Sequence, residues 1–381
     1  MLFRSLLRNL MAMDVEEMVK ALPLDAVVLI GGCDKTIPAE LMGAISADMP
    51  AIVINVGSML AGKHEGARLG ACTDCRRLWA QFRAGTLDGP DLGRAHDQLM
   101  PTSGTCMVMG TASTMACLAE TLGFMLPGSA TAPAVSSDRW RFAEATGKRA
   151  AEMAIAGGPR PSEILTKSAL RNASVILQAT SGSTNAIVHL AAIAGRAGIP
   201  YDLEELDAVG RDVPVLLDLK PAGNNFMEDF HAGGSLPSLW RRLKDHLDLN
   251  AKTVNGETIG QIIARWPAYV DDKIIRPLDN PLVKNEAIAI LKGNLAPGGA
   301  AIKLAAATPK LFQHEGPAVV FESLEDLEKR IDDPNLNVTP DSVMVLRNAG
   351  PMGAPGMPEA RSEEHTSELQ SQSTISYAVF C

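Results

Sequence analysis

The sequence predicts an α/β fold, with an N-terminal parallel-sheet α/β domain followed by a β-rich, barrel-like C-terminal domain. Short continuous apolar runs alternate with helical patterns in the first part, which is typical of a parallel sheet. After residue 279 the pattern changes to short apolar runs separated by Gly, Pro and Asn, which predicts short strands joined by turns. A chain of 381 residues is too long for one compact core. We place a domain boundary near Pro281, which gives predicted domains at residues 1–281 and 282–360.

The first elements form a βαβ pattern. Residues 26–30 (AVVLI) and 51–56 (AIVINV) are continuous apolar runs, which predict buried strands. Residues 38–47 between them predict a helix with proline in its first turn. Two strands joined by a helix at this spacing are parallel, because antiparallel strands need only a short turn.

Further elements follow along the chain. Residues 107–122 predict a helix rich in small residues and methionine, and residues 183–197 predict a helix with one apolar stripe. Residues 213–217 (VPVLL) form a possible strand. The segments that predict the C-terminal strands are AIAILKGNLAPGGAAIKLA, PAVVFES and SVMVLRNAGP.

Composition and charge exclude several functional classes. The net charge is −9 and no long basic run occurs, so a nucleic-acid partner is disfavoured. No apolar stretch reaches the roughly 18 residues of a membrane helix, and the N-terminus lacks a secretory pattern. We therefore expect a cytoplasmic protein without a membrane partner. Six cysteines are too few for a disulfide scaffold, which favours reduced thiols or metal ligands.

Two cysteine motifs could carry chemistry. Cys33, Asp34 and Lys35 follow the first predicted strand, where ligands of parallel sheets bind. A thiolate suits iron and a carboxylate suits magnesium, although a loop cysteine beside a surface ion pair explains the same pattern. Cys106 precedes a predicted helix, whose N-terminal dipole would lower the pKa of its thiol. A buried structural cysteine is the alternative for Cys106.

Three further motifs have weaker support. Ser183 and Thr184 stand at a predicted helix start, where free N–H groups could bind a carboxylate or where the side chains simply cap the helix. Glu359 is the single carboxylate in the loop GPMGAPGMPE, which could equally be an ordinary surface loop. Cys72 and Cys75 form a CxxC motif, but no second pair stands at zinc-site spacing, so a redox or zinc role is weakly supported.

Eight segments in one order resemble the family of dihydroxy-acid and sugar-acid dehydratases, which are iron–sulfur hydro-lyases. They are GGCDKTIPAELMGA, GKHEGARLG, PTSGTCMVMGTASTMACLAETLGFMLPGSA, SGSTNAIVHLAAIAGRAGI, FMEDFHAGGSLP, RPLDNPL, LKGNLAPGGAAIK and GPMGAPGMPE. The resemblance runs over about residues 8–360. The form GGCDKTIPA favours the sugar-acid branch, which acts on aldonic acids such as arabinonate.

The resemblance implies three sets of site residues: iron–sulfur ligands Cys33 and Cys106, magnesium ligands Asp34, Lys35 and Glu359, and substrate-binding residues Ser183 and Thr184. The matching lysine is carbamylated in the family, so that Lys35 too would bind magnesium through oxygen. The implied cluster is [2Fe-2S] rather than [4Fe-4S], and the implied assembly is a homodimer or homotetramer.

The resemblance also implies parts that this chain lacks. The family's first cluster cysteine and a further acidic metal ligand lie upstream of the CDK motif, but no cysteine precedes Cys33. The serine proposed as the family's base lies beyond the Gly/Pro loop. Residues 361–381 (RSEEHTSELQSQSTISYAVFC) resemble the translation of a sequencing adapter, so we expect a non-native tail there. We expect a fragment truncated at both ends, with its catalytic base outside the chain.

The implied reaction is the dehydration of an aldonate such as L-arabinonate to a 2-keto-3-deoxy acid. One alternative is a dihydroxy-acid dehydratase of branched-chain amino-acid biosynthesis. An alternative of another class is a catalytically inactive fragment that binds metal or another subunit.

Overall fold

The computed structural model describes residues 4–304, 307–331 and 333–348, together with one short strand at 378–379. The helices in these ranges are α1 (Arg4–Ala21), α2 (Thr36–Ala47), α3 (Ala71–Arg83), α4 (Gly89–Asp97), α5 (Thr111–Thr121), α6 (Ser137–Ala156), α7 (Pro161–Ile164), α8 (Lys167–Ala179), α9 (Asn185–Arg196), α10 (Leu203–Asp212), α11 (Met227–Ala232), α12 (Ser235–Arg242), α13 (Ile259–Arg265) and α14 (Leu324–Arg330). The strands are β1 (Val27–Gly31), β2 (Ala51–Asn55), β3 (Gly62–His64), β4 (Ala67–Leu69), β5 (Ile288–Leu291), β6 (Ala300–Lys303), β7 (Ala318–Phe321), β8 (Val343–Leu346) and β9 (Ala378–Val379). Within these ranges no helix combines the length and the apolar character needed to cross a bilayer.

The predicted βαβ unit is present at the start of the chain. Strands β1 and β2 are parallel, with Val27 opposite Ala51 and Gly31 opposite Asn55, and α2 connects them. Every residue of β2 is buried, as expected for a strand of a parallel sheet. Helix α1 packs closely on α2, because Gly43 leaves no side chain between the two helices. The carboxyl ends of β1 and β2 therefore lie side by side.

Buried helices form the centre of the molecule. Helix α8 buries ten residues, nearly its whole length, and it packs against α5 and α10. Trp240 on α12 is fully buried and donates its indole N–H to the Thr121 hydroxyl over 3.2 Å. The expected strand at residues 213–217 is not formed. Only isolated bridges occur there, between Val215 and Val283 and between Leu217 and Ile275.

The C-terminal part confirms strands but contains a helix as well. Strands β5 and β6 form an antiparallel pair, and β9 pairs with the other edge of β6. Strands β7 and β8 are parallel, because α14 connects them. The class is therefore mixed α/β, and in the part of the chain that the structure describes the strands do not close into a barrel. The boundary near Pro281 stays a prediction.

Candidate functional site

The CDK motif forms the turn between β1 and α2. The Thr36 hydroxyl accepts hydrogen bonds from the backbone N–H groups of Gly32 and Cys33, at 3.0 and 2.9 Å, and donates to the Cys33 carbonyl at 3.0 Å. The Thr36 hydroxyl thus stabilises the turn both as an acceptor and as a donor of hydrogen bonds. Cys33 is exposed. Asp34 and Lys35 form an ion pair of 3.0 Å, and their side chains are only 13% and 14% exposed.

The charges around this turn favour an ionised Asp34. Burial raises the pKa of Asp34, but the Lys35 ammonium and a hydrogen bond with Cys33 outweigh burial, so the pKa is lowered overall. His189, on α9, lies near this carboxylate and is almost fully buried. Burial, Lys35 and Arg8 together lower the pKa of His189 to about 3. His189 is therefore neutral, and its Nδ1 accepts a hydrogen bond from Arg8 over 3.1 Å.

Cys106 is held beside the loop that follows β2. Thr105 donates its backbone N–H to the Gly57 carbonyl at 2.9 Å, and its own carbonyl accepts from Met59 N at 2.8 Å. Gly104 has a φ of +134°, and a Cβ there would lie 2.5 Å from Met59 N. This backbone pairing needs glycine. Because β1 and β2 are neighbours, the Cys33 turn and the Cys106 segment lie at the same sheet edge.

The relation between Cys106 and the following helix differs from the prediction. Helix α5 begins at Thr111 and not at residue 107. Four residues separate the cysteine from the helix, and the dipole effect is confined to the first turn. The predicted lowering of the thiol pKa by the helix dipole is therefore not supported by this arrangement. The partly buried Cys106 instead packs against a small apolar cluster that includes Met59 and Phe226.

Ser183 lies against the start of α5. Its hydroxyl is 2.7 Å from the Thr111 hydroxyl, and its backbone N–H donates to the Thr114 hydroxyl over 3.0 Å. Thr184 is the N-cap residue of α9, but its side chain makes no capping hydrogen bond. The Ser183 hydroxyl instead accepts from Asn185 N at 3.3 Å. The Ser183 segment therefore contacts the helix that follows Cys106.

Three predicted segments are thus connected through the fold. The Cys33 turn ends β1, the Cys106 segment pairs with the loop after β2, and the Ser183 segment contacts α5. Helix α9 begins beside Ser183 and carries His189, which lies near Asp34. The sequence alone did not predict roles for His189, Arg8 or Thr111. The only available signals were a histidine within the apolar stripe of α9 and a threonine shortly after Cys106.

The described residues do not bring the other predicted residues into this arrangement. Glu359 lies outside the described residues, as does the side chain of Cys72. Cys75 is on α3 and packs against a separate apolar cluster. The segment GKHEGARLG is a β3–β4 hairpin whose turn places Glu65 and Gly66 at positive φ. It therefore has regular structure.

The donor atoms of the site fit iron and magnesium in kind. Two thiols suit iron, and a carboxylate suits magnesium. The described ranges supply only part of a donor set, since no three His, Cys, Asp or Glu side chains in them could together hold a metal ion. Lys35 forms its ion pair with Asp34 as an unmodified ammonium group. An ammonium group has no lone pair with which to bind a cation. Lys35 would need the carbamate form to supply an oxygen ligand.

Fold and site together define an α/β protein with thiol and carboxylate groups at the carboxyl edge of a parallel sheet. Two family models match the chain: dihydroxy-acid/6-phosphogluconate dehydratase N-terminal over residues 1–262, and its C-terminal counterpart over residues 273–379. The chain belongs to the dihydroxy-acid/6-phosphogluconate dehydratase family.

Individual relatives support this assignment. The chain is 48% identical over 357 residues to an L-arabonate dehydratase of Azospirillum brasilense, and 44% identical over 357 residues to a 6-deoxy-6-sulfo-D-gluconate dehydratase of Pseudomonas putida. Each match covers 93% of this chain and 61% of the relative. A dihydroxy-acid dehydratase of Clostridium botulinum (strain Alaska E43 / Type E3) is 41% identical over 354 residues, which cover 92% of this chain and 63% of the relative. The chain thus spans about three-fifths of the length of these relatives.

Proposed function

We propose that this chain is part of a hydro-lyase that dehydrates a sugar acid, such as L-arabinonate, to a 2-keto-3-deoxy acid. The observation that carries the proposal is the arrangement of the Cys33 turn and the Cys106 segment at one sheet edge, with the Ser183 segment beside the following helix. Greater identity to the sugar-acid dehydratases than to the dihydroxy-acid dehydratase supports this substrate class.

We assign Cys33 and Cys106 to an iron–sulfur cluster, of [2Fe-2S] type, and Asp34, carbamylated Lys35 and Glu359 to magnesium. When bound, these groups supply Lewis acids for the leaving C3 hydroxyl and for the carboxylate and C2 hydroxyl. The reaction removes the C2 proton and the C3 hydroxyl, and the resulting enol tautomerises to the 2-keto acid. Cytoplasmic location and a homodimeric or homotetrameric assembly remain parts of this proposal.

The chain's own residues prepare the site in three ways. The Thr36 hydroxyl holds the turn that presents Cys33. Before carbamylation, the Lys35 ammonium favours an ionised Asp34, as a metal-binding carboxylate must be. Ser183 and Thr184 offer hydroxyl groups at the start of α9, which suit a polyhydroxylated ligand.

Metal analysis of cysteine variants tests the assignment of the thiols. The chain extended by the genomic reading frame on either side is reconstituted with iron and sulfide under anaerobic conditions, because the described residues alone supply only part of a donor set. Its iron content is then measured. We expect Cys33→Ser and Cys106→Ser each to lower the iron content, because both thiols are cluster ligands in this proposal. The control is Cys75→Ser, which changes a cysteine on α3 and should leave iron unchanged. Iron retained in both site variants would rule the assignment out.

An activity assay separates the substrate classes. A chain extended by the genomic reading frame on either side is assayed with L-arabinonate and with 2,3-dihydroxyisovalerate, and 2-keto acid formation is measured. We expect turnover of L-arabinonate. Activity on 2,3-dihydroxyisovalerate alone would establish the dihydroxy-acid alternative, which the relative from Clostridium botulinum keeps open.

We also propose that the 381-residue polypeptide by itself turns over neither substrate. It matches about three-fifths of its relatives' length, and its described residues offer only part of a donor set. The same assay on the unextended chain checks this. Robust turnover by the unextended chain would contradict this part of the proposal.

A further inference from the structure

Lys303 is a partly buried amine on β6 that contacts the proposed substrate segment. Its Nζ donates a hydrogen bond of 2.6 Å to the carbonyl of Ser181, two residues before Ser183. Burial lowers the pKa of Lys303 to about 8. In the described ranges no carboxylate pairs with this amine, and Ser181 provides its one recorded acceptor. An ammonium group has three N–H donors, so two are left for another partner.

The surrounding backbone places this amine firmly. Lys303 lies opposite Ile288 in the β5–β6 ladder. The amide of Gln178 on α8 donates to the Ile288 carbonyl at 2.8 Å and accepts from Ile288 N at 2.9 Å. Ile288 is therefore hydrogen-bonded to Gln178, and Lys303 to Ser181, so both members of this cross-strand pair are held at the end of α8. The position of Lys303 beside the Ser181–Ser183 turn does not depend on a flexible side chain alone.

The hydroxyl group of Ser181 is a second polar group at the same turn. Ser181 is fully buried, and its hydroxyl has no hydrogen-bond partner among the described residues. Its backbone φ is +46°, in a region that residues other than glycine rarely adopt. A buried hydroxyl without a partner is unfavourable unless a ligand or water completes its hydrogen bonding. Lys303 and Ser181 thus both have unused donors at the turn before Ser183.

A helix-capping role accounts for only part of this arrangement. The Ser181 carbonyl follows the C-terminus of α8, where a cation is favourable. That explains one hydrogen bond of the amine. It does not explain the remaining N–H donors or the buried hydroxyl of Ser181, both of which suit an anionic, hydroxylated ligand.

We propose that Lys303 and Ser181 form an anion-recognition subsite that, next to Ser183, shares the carboxylate of the sugar acid with magnesium. This inference rests on the proposed function, since it names the group of the substrate that the subsite binds. The ammonium supplies the positive charge, and the Ser181 hydroxyl donates a further hydrogen bond. A neutral polyol of the same length lacks the group that Lys303 recognises.

Ligand titrations test the subsite on the 381-residue chain. Its lysines are labelled as ¹³C-dimethylamines, and the Lys303 NMR signal is assigned by its loss in Lys303→Arg. The ligands are L-arabinonate, its neutral counterpart L-arabinitol, and propionate as a simple carboxylate. We expect L-arabinonate to raise the pKa of Lys303 and L-arabinitol to leave it unchanged, because a bound anion stabilises the ammonium.

Three variants complete the experiment. Lys303→Met should weaken L-arabinonate binding roughly ten- to hundredfold, the effect of losing a charged hydrogen bond. Lys303→Arg keeps the charge and should retain most of the binding. Lys310→Met changes an exposed lysine and is the matched control. Thermal unfolding of each variant shows whether it remains folded. If Lys303→Met does not fold, the titration of Lys303 in the wild-type chain with each ligand remains the test.

The outcomes separate this inference from the proposed function. If L-arabinonate binds but neither Lys303 titration nor Lys303→Met affects binding, the subsite is refuted while the substrate class stands. If propionate raises the Lys303 pKa and binds as tightly as L-arabinonate does, the anion subsite is supported and selective recognition of a sugar acid is refuted. If no carboxylate changes the Lys303 pKa, the subsite is refuted.

Discussion

Replacing Gly104 with alanine should disrupt the segment that carries Cys106. The φ of +134° at Gly104 is unfavourable for any residue with a side chain. An added Cβ would also lie 2.5 Å from Met59 N and 2.6 Å from the carbonyl carbon of Ser58. Both atoms belong to the backbone of the loop after β2, so neither can rotate away as the end of a flexible side chain would.

The expected loss follows from two contributions. A non-glycine residue in this backbone region costs about 1–3 kcal/mol. Moving the segment away weakens the hydrogen bonds from Thr105 N to Gly57 O and from Met59 N to Thr105 O, each worth about 1 kcal/mol. The free energy of unfolding should therefore fall by about 2–5 kcal/mol, a large part of the roughly 5–15 kcal/mol typical of a folded domain.

Urea denaturation followed by circular dichroism measures this loss, with iron content after reconstitution as a second readout. The control is Gly147→Ala in α6, where an added Cβ has no other atom within 4 Å. Alanine in that helix should stabilise the protein by about 0.5–1 kcal/mol. A Gly104→Ala chain with unchanged stability, or a Gly147→Ala chain destabilised to the same degree, would refute the reasoning.

Three further substitutions test other parts of the structure. Burial raises the pKa of Glu40 to about 7, so stability should decrease as pH rises from about 4.5 to about 7, and Glu40→Gln should remove this decrease in urea denaturation across that range. Thr111→Val removes the hydroxyl that lies 2.7 Å from the Ser183 hydroxyl. This substitution should weaken L-arabinonate binding several-fold in calorimetry and lower the free energy of unfolding by only about 1 kcal/mol. Unchanged binding would argue against a role for this pair of hydroxyl groups. Asn172 is fully buried and exchanges two hydrogen bonds with the backbone of Asp248, so Asn172→Ala should lower the free energy of unfolding by about 2–4 kcal/mol; a loss below about 0.5 kcal/mol in urea denaturation would contradict this.

The N-terminal strands were predictable because their sequence signal is local. Residues 26–30 and 51–56 are continuous apolar runs, and β1 and β2 fall within one residue of those limits. The helix at residues 183–197 was also predicted closely, since its apolar stripe faces the core in α9. Burial on both faces of a parallel strand leaves a clear trace in the sequence. The pairing of β1 with β2 then followed from the length of the connection.

The start of α5 could not be predicted because distant backbone contacts determine it. Residues 107–110 fit a helical pattern, but Met107 O accepts from Met227 N and Met109 N donates to Lys220 O, both at 2.8 Å. These contacts hold the segment in a bent, non-helical path. Tertiary hydrogen bonds therefore override local helix propensity there. The same reason applies to residues 213–217, which are buried but pair only through single bridges.

The site shows the same division between local and distant causes. The place of Cys33 follows from its strand, because any residue just after β1 lies at the carboxyl edge of the sheet. The place of Cys106 does not follow from its own neighbours in sequence. It depends on Thr105 pairing with the Gly57 loop, and that pairing depends on the backbone freedom of Gly104. The role of Gly104, two residues before Cys106, cannot be predicted from the sequence unless the loop that it contacts is known. The Gly104→Ala chain therefore tests a feature of the site that links two distant segments through backbone atoms.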